Sequence, residues 1–408
     1  MSVNADHRET MTAAAGAHPS RGAISIDVFS GMEPLEDEWR ALERDDYCSL
    51  HQSYDWCHAW VQTHKNPLAI VRCQSGGRTV CILPLEITRR AMVRKASFIA
   101  APFSNINTGL FDAAFRQTLS AEATRGLRQQ ITSALKHHAD LLHLSNIPLS
   151  WRNQRHPLAD LPSIENQNHA FQLPLFDDFQ ATIAQLNAKR RRKKFRNQHR
   201  KLEEHGGFDH IIAKSADEKK RLLDLFFEQK AVRFADLGLP DVFHASETQA
   251  FFHHLQHGPR DGHNAALELH AIRLKGDYSG KISAIAGLSR KGDHVICQFG
   301  SIDASLIPEA SSGELLFWLM IEQCCAQGAR LFDFGIGDQS YKRGWCPVET
   351  VHHDIVLPIT PIGHIAANAQ RLLTRTKSVI KSNPRLYACL QKIRAKGIKP
   401  SHSNDTDD

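Results

Sequence analysis

Apolar positions along this 408-residue chain change their period several times, and each change marks an element. Residues 24–29 alternate apolar and polar side chains, the period of a half-buried strand. A short helix is expected at 34–42. Ser53 precedes Trp56, Cys57, Trp60 and Val61 at the spacing of an N-capped helix with one apolar side. Those aromatics have two accounts, core packing and a stacking surface for a substrate. Strands at 68–73, 79–88 and 95–100, with Gly76-Gly77 turning the first pair, predict a meander. A helix at 122–138 and strands at 140–145 and 170–174 follow.

Residues 189–201 hold nine basic side chains in thirteen positions, and Phe195 and Leu202 stand seven apart. This predicts a helix with a thin apolar seam and an otherwise cationic surface, ended by Gly206-Gly207. The surface is open to three readings: a solvated face, a patch for an anionic substrate or membrane, and a nucleic-acid contact. Its single interleaved aromatic, Phe195, speaks against the last. A strand is expected from 208 to 213, then amphipathic helices at 217–233 and 247–256. Residues 232–238 are expected to break into a loop able to fold over a site. Strands at 265–274, 281–289 and 294–301, joined by glycine-containing turns, lead into Ala310-Ser-Ser-Gly-Glu314. That loop opens a helix carrying Leu315, Leu316, Leu319, Met320 and Ile321, with Gly328 just past its C-cap. The apolar run 330–337 then completes a strand–helix–strand crossover, and a last strand is expected at 351–359.

The crossover carries the candidate chemistry. Small residues at the start of a helix leave backbone N–H groups bare at the positive end of the dipole, a setting that binds phosphate or pyrophosphate. The plainer account of Ser311, Ser312, Gly313 and Glu314 is a serine N-cap with an acid in the first turn. Asp338, Tyr341 and Lys342 fall just beyond the strand, where ligands collect in crossover folds. Gly335 and Gly337 allow the backbone to bend there. Asp333, inside an apolar run, reads as a buried carboxylate that fixes a turn.

Composition is that of an ordinary globular protein, 42% hydrophobic and 23% charged, and the length suggests two domains. A net charge of +6 suits anionic partners without choosing one. The nine cysteines form no CxxC pair, which suggests reduced thiols. No stretch approaches the ~18 apolar residues of a membrane span, and Asp6, Arg8 and Glu9 occupy the place of a signal-peptide core. A cytoplasmic protein is expected. Twenty-four histidines include no HExxH motif, and His253, His254 and His257 lack a third-ligand pattern, so no metal is expected. Residues 361–399 carry Arg371, Arg375, Lys377, Lys381, Arg385, Lys392, Arg394, Lys396 and Lys399 and no acid, with Leu372, Leu373, Val379 and Ile380 apolar and Pro384 interrupting. A basic amphipathic helix at the inner face of an anionic membrane is one reading, and packing on the body is the other.

Ser311-Ser-Gly-Glu-Leu-Leu316, Phe332-Asp-Phe-Gly-Ile-Gly-Asp338, and Tyr341-Lys342-Arg343 with Trp345 together resemble the GNAT-type acetyltransferases called CelD or BcsL, associated with cellulose and exopolysaccharide biosynthesis. Leu50-His-Gln-Ser-Tyr-Asp-Trp56 with Trp60, and the basic run ending Leu202-Glu-Glu-His-Gly-Gly207, extend the resemblance over residues 25–360. Where that family commonly has Ser-Pro-Gly, this chain has Ser311-Ser312-Gly313. Its members are similar to Fem peptidyltransferases.

The resemblance implies a mixed α/β (α+β) fold of tandem GNAT-like units, each a twisted mixed sheet flanked by helices. With a disordered stretch at 1–23, the units fall at 24–175, structural or substrate-facing, and 176–360, holding the donor site. A basic helical segment at 361–400 and a tail at 401–408 follow. It implies acyl-CoA, acetyl-CoA first, as co-substrate, cradled by Ser311, Ser312, Gly313 and Glu314, with backbone near Gln298 and Gly300 polarising the thioester. Asp338, Tyr341 and Lys342 are the candidate catalytic residues, and an amine or hydroxyl of a sugar or polysaccharide precursor is the expected acceptor. Two other functions stay open: aminoacyl transfer from tRNA, as in Fem proteins, and a non-catalytic accessory of polysaccharide synthesis.

Overall fold

A computed structural model describes residues 24–258 and 264–382. The expected disordered 1–23, the tail and the distal part of the basic segment lie outside the described residues. Three main sheets organise the rest, beside a two-stranded hairpin of Ser150–Trp151 and Gln154–Arg155. A seven-stranded sheet runs in the order Phe208–Ile212, Asn264–Leu274, Ile282–Lys291, His294–Ile302, Leu331–Ile336, Ala170–Pro174, Val348–Thr350. A five-stranded sheet runs Ser163–Glu165, His352–Pro358, Leu141–Pro148, Val93–Phe98, Leu85–Arg90, and a four-stranded one Ile24–Phe29, Ile70–Ser75, Arg78–Leu83, Leu110–Phe111. Both larger sheets are mixed, each with one parallel pair: His294–Ile302 beside Leu331–Ile336, and Val93–Phe98 beside Leu141–Pro148. The fold is mixed α/β, with helices covering mixed sheets.

Two strands change sides. Ala170–Pro174, expected with the first unit, lies inside the seven-stranded sheet, between Leu331–Ile336 and Val348–Thr350. His352–Pro358, from the far end of the chain, lies inside the five-stranded sheet beside Leu141–Pro148. The chain therefore crosses between the two larger sheets twice: the seven-stranded sheet is built from the continuous segment 170–350, whereas the five-stranded sheet takes its strands from both sides of it.

Alternation sorts the core of the seven-stranded sheet. Ala284, Ala286, Val295 and Cys297 face the helix Ser312–Ala326, through Leu315, Leu316, Met320 and Ile321. Ile285, Ile296 and Phe299 face the opposite layer, where helices Ala216–Asp236 and Ser246–Leu255 bring Phe226, Phe251 and Phe252. Trp56 and Trp60, on the helix Tyr54–His64, meet Phe251 edge-on at ring distances of 5.2 and 5.1 Å. These tryptophans are core, and they weld the N-terminal half onto the seven-stranded sheet.

Two expected boundaries differ. The single strand at 79–88 is two strands broken at Pro84, which has no N–H to give to a ladder, and the chain passes there from the four-stranded to the five-stranded sheet. The loop at 232–238 is helix as far as Asp236, because nothing before Gly238 (φ +62°) interrupts it.

Candidate functional site

The parallel pair at the middle of the seven-stranded sheet holds together for only three positions: His294 opposite Leu331, Val295 opposite Phe332, Ile296 opposite Asp333. Beyond them the strands diverge. On the other flank, Cys297 and Phe299 pair with Leu288 and Gly287, leaving Gln298 as the extra residue of a bulge, which bends the strand away. On its partner, Gly335 takes φ +68° and Gly337 φ +110°, and the buried Asp333 carboxylate accepts the Gly335 N–H at 2.6 Å. Asp333 thus fixes this turn. Burial pushes its pKa up, but hydrogen bonds from His294 and Gln172 outweigh this and hold it below the usual carboxylate range.

The diverging strands enclose a cavity of about 590 Å³, lined among others by Gln298, Gly300, Ser311, Gly313, Glu314, Tyr341 and Lys342. Seven of the nine expected site residues, from three separated stretches of sequence, thus share one cavity. Ser312 and Asp338 are not among the lining residues. Ser312 is buried in the first turn of its helix, its Oγ without a hydrogen-bond partner. Asp338 pairs with the Arg343 guanidinium at 2.6 and 2.9 Å.

Ser311 is not a side-chain N-cap. It sits in the left-handed region (φ +50°, ψ +51°), its side chain caps nothing, and its carbonyl accepts the Glu314 N–H. The first amides of the helix, those of Ser312 and Gly313, have no intrahelical acceptor, as at any helix start. Glu314 is neutralised from outside the cavity: Arg191 Nη1 lies 3.1 Å and Lys194 Nζ 2.6 Å from its carboxylate. Both cations come from the helix Ala188–Glu203, and Arg191 also lies over the Trp345 ring at 4.1 Å. Part of the basic run is therefore packed onto the loop rather than free in solvent.

Lys342 is buried, and its Nζ donates to the carbonyls of Gly335 and Ile336 at 3.2 and 2.6 Å. Desolvation pulls its pKa down. Tyr341 stacks on Phe317 at 5.3 Å, and desolvation pushes its phenol pKa up, so it stays protonated at neutral pH.

The N-terminal half reaches into this site through residues that periodicity did not single out. Asn105 accepts the Ile336 N–H at 3.2 Å and donates to Gln298 Oε1 at 3.4 Å, bridging the two divergent strands. Behind it, His51 Nε2 lies 3.3 Å from Gln298 Nε2 and 3.5 Å from its Oε1. Burial drives the His51 pKa to about 4, so the ring is neutral at physiological pH. Only the polar, turn-rich composition of Ser104-Asn-Ile-Asn-Thr-Gly109 hinted that this loop does more than connect. Among the described residues, no group of three or more His, Cys, Asp or Glu is arranged to hold a metal ion.

Residues 189–343 match the family model described as an acetyltransferase (GNAT) domain. That match covers the helix Ala188–Glu203, the splayed strands, the loop and Lys342, and it supports an acyltransferase. No curated protein matches the chain. Among solved structures, FemX is similar at 12% identity and TM-score 0.59, with 81% of this chain and 98% of that one covered. A tandem GNAT protein from the clavulanic acid biosynthesis pathway is similar at 11% identity and TM-score 0.45, covering 83% and 99%. A GCN5-related N-acetyltransferase from Kribbella flavida gives 12% identity and TM-score 0.33, covering 84% and 74%. The FemX likeness shows the fold over 81% of this chain.

Proposed function

We propose that the chain transfers an acyl group, acetyl first among candidates, from acyl-CoA to an amine or hydroxyl of a sugar or polysaccharide precursor. The observation that carries this reading is the splay of His294–Ile302 from Leu331–Ile336 beside the start of the helix Ser312–Ala326. Divergence leaves an extended slot beside the Gln298–Gly300 backbone, suited to a pantetheine arm, and the helix start offers bare amides to a pyrophosphate. Ser311, Ser312 and Gly313 form the cradle by their backbone. Glu314 serves it by holding Arg191 and Lys194 at the rim.

In the chemistry, the acceptor nitrogen or oxygen attacks the thioester carbonyl carbon, the C–S bond breaks, and CoA leaves as a thiolate that must take up a proton. Gln298 and the backbone through Gly300 face the carbonyl. The protonated Tyr341 gives its proton to the thiolate and is reprotonated by the proton that the acceptor nitrogen or oxygen loses, so the net transfer is from acceptor to CoA, and the Lys342 ammonium supports the negative charge of the tetrahedral intermediate. Asp338 works at one remove, anchoring Arg343 and with it the short helix Ser340–Trp345. The acceptor class follows from the resemblance to CelD and BcsL proteins.

Aminoacyl transfer from tRNA is the second reading, favoured by the cationic helix Ala188–Glu203 on a FemX-like fold. Calorimetric titration with acetyl-CoA separates the two. Saturable binding that is lost in Gly313→Trp supports the first. No acetyl-CoA binding by the folded protein, with salt-sensitive retention of tRNA, supports the second. A purely accessory role predicts that cellular function survives Lys342→Ala and Gly313→Trp together.

A further inference from the structure

Among its described side chains, the helix Pro361–Ser382 packs on the body by one side. Gly363 lies so close to the five-stranded sheet that a Cβ there would overlap the Asp140 carbonyl, Ala367 is buried against Leu141 and Val356, and the Arg371 guanidinium donates to the Val356 carbonyl at 3.1 Å. Gln167 donates to the Thr374 carbonyl on the same side. The outward side carries Ile365, Leu372 and Leu373, exposed by 72, 66 and 57%. Ile365 and Leu372 are two helical turns apart, so they form one stripe. A helix that keeps a packed side and still exposes a row of large apolar residues has a second surface to satisfy.

Charge chooses among the occupants. Within 361–382 the sequence contains Arg371, Arg375, Lys377 and Lys381 and no Asp or Glu. A second copy of this helix would set cations against cations with no acid between them, so self-association is opposed. Arg371 is engaged on the docked side, but the segment as a whole is positively charged and has no acid, so an anionic surface attracts it and accepts the apolar stripe, the requirement for a helix lying in a membrane interface. No helix among the described residues is long and apolar enough to cross a membrane, which leaves lying on the surface rather than spanning.

We propose that the outer face of Pro361–Ser382 binds an anionic lipid surface, Ile365, Leu372 and Leu373 entering the headgroup boundary while the opposite face stays on the five-stranded sheet. This goes beyond the transferase reading and does not depend on it. The test is co-sedimentation of the full chain with phosphatidylcholine vesicles, with and without about a third phosphatidylglycerol, at low and high salt. The protein should pellet with the anionic vesicles only, and salt should release it. Ile365→Asp with Leu372→Asp, at exposed positions and so with an unchanged melting temperature, should weaken binding by about tenfold or more. Three results overturn the proposal: no binding to anionic vesicles, binding indifferent to the double substitution, and a concentration-dependent dimer that the substitution dissolves.

Discussion

Gly335 has no room for a methyl group because Asn105 fills the space: its Oδ1, Cγ and Nδ2 lie 2.6, 2.7 and 2.9 Å from where a Cβ would be. The glycine belongs to the strand beneath the cavity, and the asparagine comes from the other half of the chain, 230 residues earlier by subtraction of their numbers. The fit between the halves is thus made at the cavity itself.

Gly335→Ala should therefore carry two costs, a left-handed backbone at φ +68° and a collision with Asn105. A loss of roughly 2–4 kcal/mol in urea unfolding is expected. Asn105→Gly should remove the collision but not the backbone strain. In the double variant the two losses should fall short of their sum by about 1 kcal/mol or more. Simple additivity would mean that the two residues are not in contact.

Lys342 serves the backbone as well as the site. Lys342→Met keeps the length and apolar stem but leaves the carbonyls of Gly335 and Ile336 without their donor. Stability should drop by roughly 1–3 kcal/mol. Turnover should fall much further than acetyl-CoA affinity, because the donor's cradle is elsewhere. A variant with full turnover and lowered stability would reduce Lys342 to a structural role.

Acid should unfold the protein well above the carboxylate range. His51, His156 and His352 are buried, and desolvation lowers their pKa values to about 4, 3 and 4. An unfolded histidine titrates near 6.5, so below that pH the unfolded state takes up protons that the folded state refuses until about pH 4. Stability is intact above pH 6.5 and is lost through the window below it, on the order of 3 kcal/mol per ring, enough together to exhaust a typical domain. Calorimetric unfolding at pH 5 in buffers of different ionisation enthalpy should show uptake of about three protons from these rings. His51→Gln should remove about one of them, whereas an unchanged uptake would show that His51 is charged in the folded state.

Arg191 is held between the Glu314 carboxylate and the Trp345 ring. Arg191→Met should cost roughly 1–3 kcal/mol, less than a sole buried partner would, because Lys194 remains on Glu314. It should also weaken acetyl-CoA binding and flatten its salt dependence. Unchanged affinity at low salt would remove Arg191 from the rim of the cradle.

The crossover of strand, helix and strand was legible because local rules govern it: alternation, a glycine past the C-cap, and small residues at the helix start. The same rules put Tyr341 and Lys342 beside Gln298 and Gly313, since a right-handed crossover returns the chain to the end of its parallel neighbour. The position of Asp338 was less legible: Lys342 turns inward to carbonyls, and Asp338 pairs with Arg343. Asn105 lies in a polar, turn-rich loop and His51 in the Leu50–Trp56 stretch, but neither pattern tells what the residue does, which is set by a contact made across the halves. The change of sheet at Pro84 and the exchange of Ala170–Pro174 with His352–Pro358 are likewise tertiary choices, for which strand periodicity is silent.

The most direct measurement is a crystal structure with CoA bound. The account predicts the pantetheine arm between the backbones of Gln298–Gly300 and Phe334–Ile336, the pyrophosphate on the amides of Ser312 and Gly313, and the sulfur within reach of the Tyr341 hydroxyl. CoA bound outside the cavity, or with its pyrophosphate away from that helix start, would contradict it.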